Sequence, residues 1–220
     1  MFFTKNETSV IKEEIIKKTL IDKDGKVLLH INIAYPVFIL KDKDKLKSNA
    51  KPFYEKIAKN FLQFVESELL ARAKKLLERE DFRPLGGVMR YTNSYENKHT
   101  LSIYTDISIY DGVNEQNQLR TAQVWNKEKG YIYSFSDIFN SGAKEYLLNL
   151  FAESGSSGIL QQDEYKKCLK TFFAENNFFL TEKAFVFFYP AERLGGKQGV
   201  KVFFADIDAL KEKKLFKISL

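Results

Sequence analysis

The sequence predicts an α+β fold: antiparallel sheets with one long helix and two shorter helices packed on them, in two small subdomains. Three observations carry that reading. Apolar residues recur at helical spacing at Phe53, Ile57, Phe61, Phe64, Val65, Leu69, Ala73, Leu76 and Leu77. Strand-like runs separated by turn residues lie on both sides of that stripe. The elements do not follow the strand, helix, strand repeat of a parallel sheet.

The elements follow in chain order. "VIKEEIIKKTLIDKDGKVLLHINIAYPVF" reads as two strands around a turn at Asp22 to Gly25, the second alternating at Leu29, Ile31, Ile33 and Tyr35. The apolar stripe predicts a helix from about Pro52 to Glu78, with the proline near its first turn. At 1.5 Å per residue it would run roughly 40 Å, enough to cross a small sheet. The stretch from Gly86 to Phe135 reads as antiparallel strands with turns at Asn93 to Asn97, Asp111 to Asn117 and Asn126 to Gly130. Two helices follow, about Ala143 to Ala152 and about Asp163 to Glu175, joined by "ESGSSGILQQ". A hairpin turning at Thr181 to Ala184, a loop through Gly195 and Gly196, a strand from Val200 to Phe204 and a short helix complete the chain.

Composition excludes several classes of protein. With 220 residues, 44% hydrophobic and 29% charged, the chain has enough apolar mass for a sizeable core, and its 20 Phe and 11 Tyr make that core aromatic. No apolar run approaches the roughly 20 residues of a membrane helix. The start, Met1-Phe2-Phe3-Thr4-Lys5, has no basic region leading into an apolar core, so the sequence as written reads as cytoplasmic, or extracytoplasmic if it is a trimmed part of a longer one. A single Cys168 rules out an internal disulfide. The net charge of +6 invites a nucleic-acid reading, yet lysines alternate with acids in "KDKDKLKSNAK" and "KEKKLFK" without interleaved arginine and aromatic residues, which is the pattern of a solvated face.

The residues that could carry chemistry are sparse. His30 sits on a strand and His99 in a turn, neither with Cys or acidic partners at metal-ligand spacing, so neither a metal nor any other cofactor is expected. "GSSG" at Gly155 to Gly158 lacks the strand and helix context of a nucleophile elbow, and "RLGGKQG" lacks the spacing of a phosphate-binding loop. Cys168 shares a helical face with Tyr165, Leu169 and Phe172, as a small buried hydrophobe would. Asp106, Asp111 and Glu115 are candidates for a carboxylate pair, with nothing in the sequence to bring them together.

Once the elements are placed, a family resemblance is visible. "TAQVWNKEKGYIYSFSDIF", a helix pair, and "NNFFLTEKAFVFFYPAERLGGKQGVKVFFADI" resemble the RsiV-like domain, the C-terminal domain of the lysozyme-sensing anti-sigma factor RsiV that is also found in the peptidoglycan deacetylase PdaC. Ser136, Asp137, Ile138 and Phe139 match that family's helix start, and Phe179, Leu180, Thr181, Glu182, Phe187, Tyr189, Glu192 and Gly199 match its second half. "INIAYPVF" and the long helix resemble the companion domain that precedes it, giving an N-terminal companion subdomain at 1–100 and an RsiV-like subdomain at 101–220. Two positions depart from the pattern. "YDGVNEQN" replaces the family's Gly-Gly-Ala-His turn, and Ala184 stands where its hairpin has glycine.

The resemblance implies a non-catalytic binding or sensing module for a cell-envelope ligand; the alternative is an enzyme or accessory domain acting on polysaccharide. In "AFVFFY" apolar side chains fall on both strand faces, which predicts burial on both sides, and leaves the turn from Tyr189 to Arg193 and the loop from Gly195 to Gly199 as the exposed parts. Tyr189, Glu192, Arg193 and Lys197 are therefore the candidate ligand-binding residues, and an unknown protein or an anionic polymer the candidate partner.

Overall fold

The computed structural model describes residues 11–41, 44–112, 115–154 and 160–218. Strands β1 (Ile11–Ile21), β2 (Val27–Phe38), β3 (Leu85–Glu96), β4 (Thr100–Tyr110), β5 (Glu115–Asn126) and β6 (Tyr131–Ile132) form one six-stranded sheet in sequence order. Strands β7 (Phe178–Leu180), β8 (Ala184–Pro190) and β9 (Val200–Asp206) form a second, three-stranded sheet. The fold is α+β as the sequence predicts, with a long helix of 32 residues and shorter ones. The boundary expected after residue 100 falls at the first residue of β4, a strand hydrogen-bonded to β3 in the large sheet.

One pairing departs from the antiparallel pattern. β2 and β3 run parallel, with Leu29 opposite Leu85 and Ile33 opposite Met89, because the long helix carries the chain back to the starting end between them. That helix comprises α1 (Lys45–Phe64), a π-helical turn (Val65–Leu69) and α2 (Leu70–Leu76). It starts earlier than the apolar stripe implies. Asp44, within the run read as a solvated charged face, is the N-cap and accepts from the Lys47 amide at 3.1 Å. Pro52 consequently lies inside the helix rather than in its first turn; it is exposed, as is Ser48, the residue whose carbonyl loses a partner, so water can satisfy it.

Ala58, Phe61, Val65, Leu69 and Ala73 line the buried face of the helix and pack on Leu29, Ile31, Ile33, Leu85 and Met89. Each large side chain among them contributes about 1.5 to 3 kcal/mol by leaving water. At the π-turn the helix comes close to the sheet backbone, so a Cβ added at Gly87 would lie 2.7 Å from Val65 Cγ2. The site of closest approach therefore has no side chain.

The small sheet explains the doubly apolar β8. Phe185, Phe187 and Tyr189 face a core shared with Phe139, Phe151, Leu169 and Phe203, under α3 (Phe135–Ile138), α4 (Ala143–Ser154), α5 (Gln162–Thr171) and α6 (Ile207–Glu212). Val186 and Phe188 face the other way, packing with Phe179, Tyr104 and Ala122 onto the large sheet. The small sheet is thus a middle layer between helices and large sheet. A buried bond fixes it there: the Leu180 amide donates to Ser102 Oγ of β4 at 2.9 Å.

Ala184 needs no left-handed backbone, since the only non-glycine residue with positive φ is Lys214 among the described residues. The hairpin is held by the Thr181 amide donating to the Ala184 carbonyl at 2.9 Å and the Ala184 amide to Thr181 Oγ1 at 3.1 Å.

Candidate functional site

On the face of the large sheet opposite the long helix, side chains alternate in period two, and the small sheet covers only one end, at Tyr104 and Ala122. The uncovered remainder is polar. Arg90 of β3, Asp106 of β4 and Arg120 of β5 form a row across three strands, set by the pairs Arg90 with Asp106 and Asp106 with Arg120. The next row is Val88, Ser108 and Gln118. Apart from Arg120, these side chains, with Thr92 and Tyr110, line a concave cleft of about 210 Å³.

Its geometry is fixed at one point. Arg120 Nε donates to Asp106 Oδ1 and Nη2 to Oδ2, both at 2.7 Å, and the guanidinium lies 4.4 Å from the centre of the Tyr104 ring. This is the two-pronged arrangement that makes an arginine–carboxylate pair specific. Burial works against the charge on Arg120, but the hydrogen bonds and charge of Asp106, with Tyr104 adding, outweigh it and raise its pKa. Arg90, exposed and opposite the same aspartate, makes no ion pair among the described residues. The row therefore holds two cations and one anion. The loop after β8 reaches the cleft as well, for a Cβ added at Gly199 would lie 3.5 Å from Gln118 Oε1.

The residues chosen from sequence do not converge on one place. Tyr189 is core, not turn: it is 2% exposed, packs edge-on against Phe203, and its hydroxyl donates to the Leu169 carbonyl at 3.4 Å, with burial raising its pKa well above the ordinary value. The strand continues to Pro190, and period-two alternation turns Tyr189 inward with Phe185 and Phe187. Glu192 and Arg193 are exposed on a 3-10 turn, Ala191–Leu194, where the Arg193 guanidinium sits 5.1 Å from the Phe172 ring, toward the helices. Lys197 is exposed in the loop that ends at Gly199.

The other candidates are accounted for in turn. Asp106 pairs with Arg120 rather than a second carboxylate; Asp111 lies in the turn after β4, and the Glu115 side chain is outside the described residues. His30 lies 3.3 Å from Thr19 Oγ1, and His99 lies 2.6 Å from Glu128, both exposed. Cys168 is half-buried against the helical core. No group of three or more His, Cys, Asp or Glu side chains is placed to hold a metal ion among the described residues. "GSSG" lies within 155–159, outside the described residues. A larger cleft of about 630 Å³ between α4 and α5 is lined by the exposed Lys144, Lys166 and Lys170, of which Lys144 is already paired with Glu175 at 3.1 Å.

Sequence reasoning missed Arg90, Thr92, Ser108, Tyr110, Gln118 and Arg120. A signal was present, because "RYT", "DISIY" and "QLR" each place polar groups at alternate positions of a strand. Only the strand register shows that these three sets share one face.

No family model matches the chain, and no curated protein matches it in sequence. Solved structures do match. The crystal structure of a member of the DUF3298 family from Bacteroides fragilis aligns over 94% of both chains with a TM-score of 0.60 at 16% identity. The fold is shared with DUF3298 proteins. A second, from Pseudomonas aeruginosa, aligns over 94% of both chains with a TM-score of 0.57 at 14% identity. DUF3298 is the family of the RsiV-like C-terminal domain. The likeness covers both sheets and the long helix together, so the two layers form a recurring arrangement.

Proposed function

We propose that this chain is a non-catalytic binding or sensing module that holds an anionic cell-envelope ligand on the uncovered polar face of its large sheet. The observation that carries the reading is the Arg90, Asp106 and Arg120 row: Asp106 gives both oxygens to Arg120, and Arg90 is left to face solvent beside the hydroxyls of Thr92, Ser108 and Tyr110. A solvent-facing guanidinium beside hydroxyl donors, with its neighbouring carboxylate already committed to Arg120, suits a phosphate- or carboxylate-bearing polymer. The net charge of +6 favours encounter with such a ligand and disfavours a cationic one. Lys197, in the loop beside Gln118, extends the basic rim, whereas Glu192 and Arg193 serve the reading less well because Arg193 leans toward α5. The shared fold supports kinship with the RsiV-like domain, with the junction near residue 100 joining two sequence modules within one sheet. Among the described residues, no helix is long and apolar enough to cross a membrane.

The test is a pair of titrations at about 0.05 M and about 0.15 M salt, across which the Debye length falls to about 8 Å. Poly(glycerol phosphate) is expected to bind, to weaken with salt, and to lose about ten-fold or more in affinity with Arg90→Glu. A basic lysozyme is expected to bind poorly. Submicromolar lysozyme binding that weakens with salt would overturn the anionic reading, and turnover of acetylated glycans would overturn the non-catalytic one.

A further inference from the structure

The two edges of the large sheet are built differently. β1, at one edge, carries Lys12, Glu13, Glu14, Lys17 and Lys18, and charge of this density keeps other chains from pairing with an exposed edge. At the other edge β6 pairs only with Trp125 and Asn126, leaving the stretch Gln118 to Gln123 of β5 with no strand on that side among the described residues. That stretch reads Gln-Leu-Arg-Thr-Ala-Gln, and its single charge, Arg120, is turned back onto Asp106. No proline, bulge or outward charge guards it.

The direction of its backbone groups is known. The Tyr133 amide donates to the Val124 carbonyl at 2.8 Å, so Val124 points outward, and by alternation Ala122, Arg120 and Gln118 do too. Beside the edge, on the helix side, lies an apolar groove of about 500 Å³ between Ile57, Phe61, Phe64, Ile107, Ile109 and Leu119. Leu119 is 56% and Phe64 40% exposed, large fractions for side chains of their kind. No charged residue lines the groove.

We infer that the free edge of β5 is a docking site for an extended, acidic peptide segment that adds as an antiparallel strand and places alternate apolar side chains in the Leu119 groove. Backbone pairing supplies affinity and the groove supplies side-chain selectivity, as in other strand additions. Both partners of β5 already run antiparallel to it, so the same sense continues the sheet. Charge decides between occupants: a second copy would bring another chain of net charge +6 to this edge, whereas an acidic segment is attracted. The alternation fixes a further detail. Residues bonded to Gln118, Arg120 and Ala122 carry their side chains on the face of Arg120, so the groove-filling apolar residues are the ones whose amides point to solvent.

The probe is a blocked peptide about eight residues long that alternates valine and glutamate, a usual strand length. Three relatives accompany it: lysine in place of glutamate, N-methylation at every glutamate, and N-methylation at every valine. The parent is expected to bind and to slow hydrogen exchange at the Gln118, Arg120 and Ala122 amides. Methylation at glutamate removes the pairing donors and should weaken binding by about ten-fold or more, methylation at valine should leave it nearly unchanged, and the lysine version should bind poorly. Gln118→Pro should abolish binding, and Arg90→Ala should not affect it, which separates this edge from the polar cleft. Equal loss from both methylated peptides, or no exchange protection on β5, overturns the inference. So does a chain that sediments alone as a dimer and becomes monomeric with Gln118→Pro, since the occupant would then be a second copy.

Discussion

The indole N–H of Trp125 donates to the Tyr54 hydroxyl at 3.0 Å, and that hydroxyl donates onward to Gln123 Oε1 at 3.2 Å. All three side chains are buried, so one polar chain joins the long helix to β5 inside an apolar cluster containing Phe38, Leu46, Leu101 and Ile103. Tyr54→Phe keeps the ring and removes the central group, leaving a buried donor and a buried acceptor without partners. The expected cost is about 1 to 3 kcal/mol, more than the net value of a hydrogen bond because both ends stay desolvated. Urea unfolding followed by emission of Trp125, the single tryptophan, measures it. An unchanged midpoint would show that the network carries no stability.

Gly130 and Gly142 separate two costs that glycine substitutions usually mix. Both have positive φ, at 70° and 84°. A Cβ at Gly130 would lie 2.3 Å from the Lys45 carbonyl oxygen, where the turn before β6 docks on the first turn of α1, while at Gly142 nothing lies within 4 Å. Gly142→Ala should cost about 1 to 2 kcal/mol from backbone strain alone. Gly130→Ala adds a collision with backbone and should exceed about 4 kcal/mol. Thermal midpoints of the two variants test the ranking; equal losses would mean that the turn moves aside freely.

Phe61 is 7% exposed between the long helix and the sheet, next to Val65 and the approach to Gly87. Phe61→Ala should cost about 3 to 5 kcal/mol by lost transfer energy and an unfilled cavity. Calorimetry of the variant checks this, and a midpoint that stays in place would contradict docking of the helix.

Asp137 closes the capping box of α3: its carboxylate accepts from the Ser134 hydroxyl at 2.7 Å and the Ser134 amide at 2.8 Å. Those two hydrogen bonds, the hydroxyl first, hold its pKa below the ordinary carboxylate range. A depressed pKa stabilises the fold above the unfolded-state value of about 4, and that contribution fades as pH falls through the lower folded value. Ser134→Ala should therefore move the Asp137 pKa part of the way back up, and its stability deficit should shrink below about pH 4. NMR titration of the Asp137 carboxyl in both proteins decides it.

Much of this architecture was legible in the sequence. The stripe from Phe53 to Leu77 is a helix because its spacing suits no other element, and Phe185 to Tyr189 is buried on both faces as a doubly apolar strand requires. The helix start was hidden because Asp44 stands among charges that resemble a solvated run, and a cap is one hydrogen bond rather than a pattern. The parallel pair was hidden because period-two alternation carries no direction. For the site, turn composition implies exposure, and Tyr189 is buried because the strand continues one residue beyond it to Pro190. The Arg90, Asp106 and Arg120 row depends on register between three strands, and register is set by long-range packing that no local stretch encodes.

The parallel seam between β2 and β3 has a consequence for the order of folding. The β1–β2 hairpin, the long helix and the β3–β5 meander are each assembled from contacts near in sequence. The seam is not, since its partners are separated by the whole helix. Loop closure must be completed before these contacts return any energy, so zipping the seam under the helix is the expected slow step. Ile33→Val, on the seam and buried, should lower the refolding rate, whereas Val186→Ala in the small sheet should chiefly raise the unfolding rate. Stopped-flow chevrons of the two variants distinguish them. Until that seam closes, the Leu29 to Tyr35 stripe of β2 lacks its cover, and the nascent chain passes through a stage in which this apolar stripe is open to association.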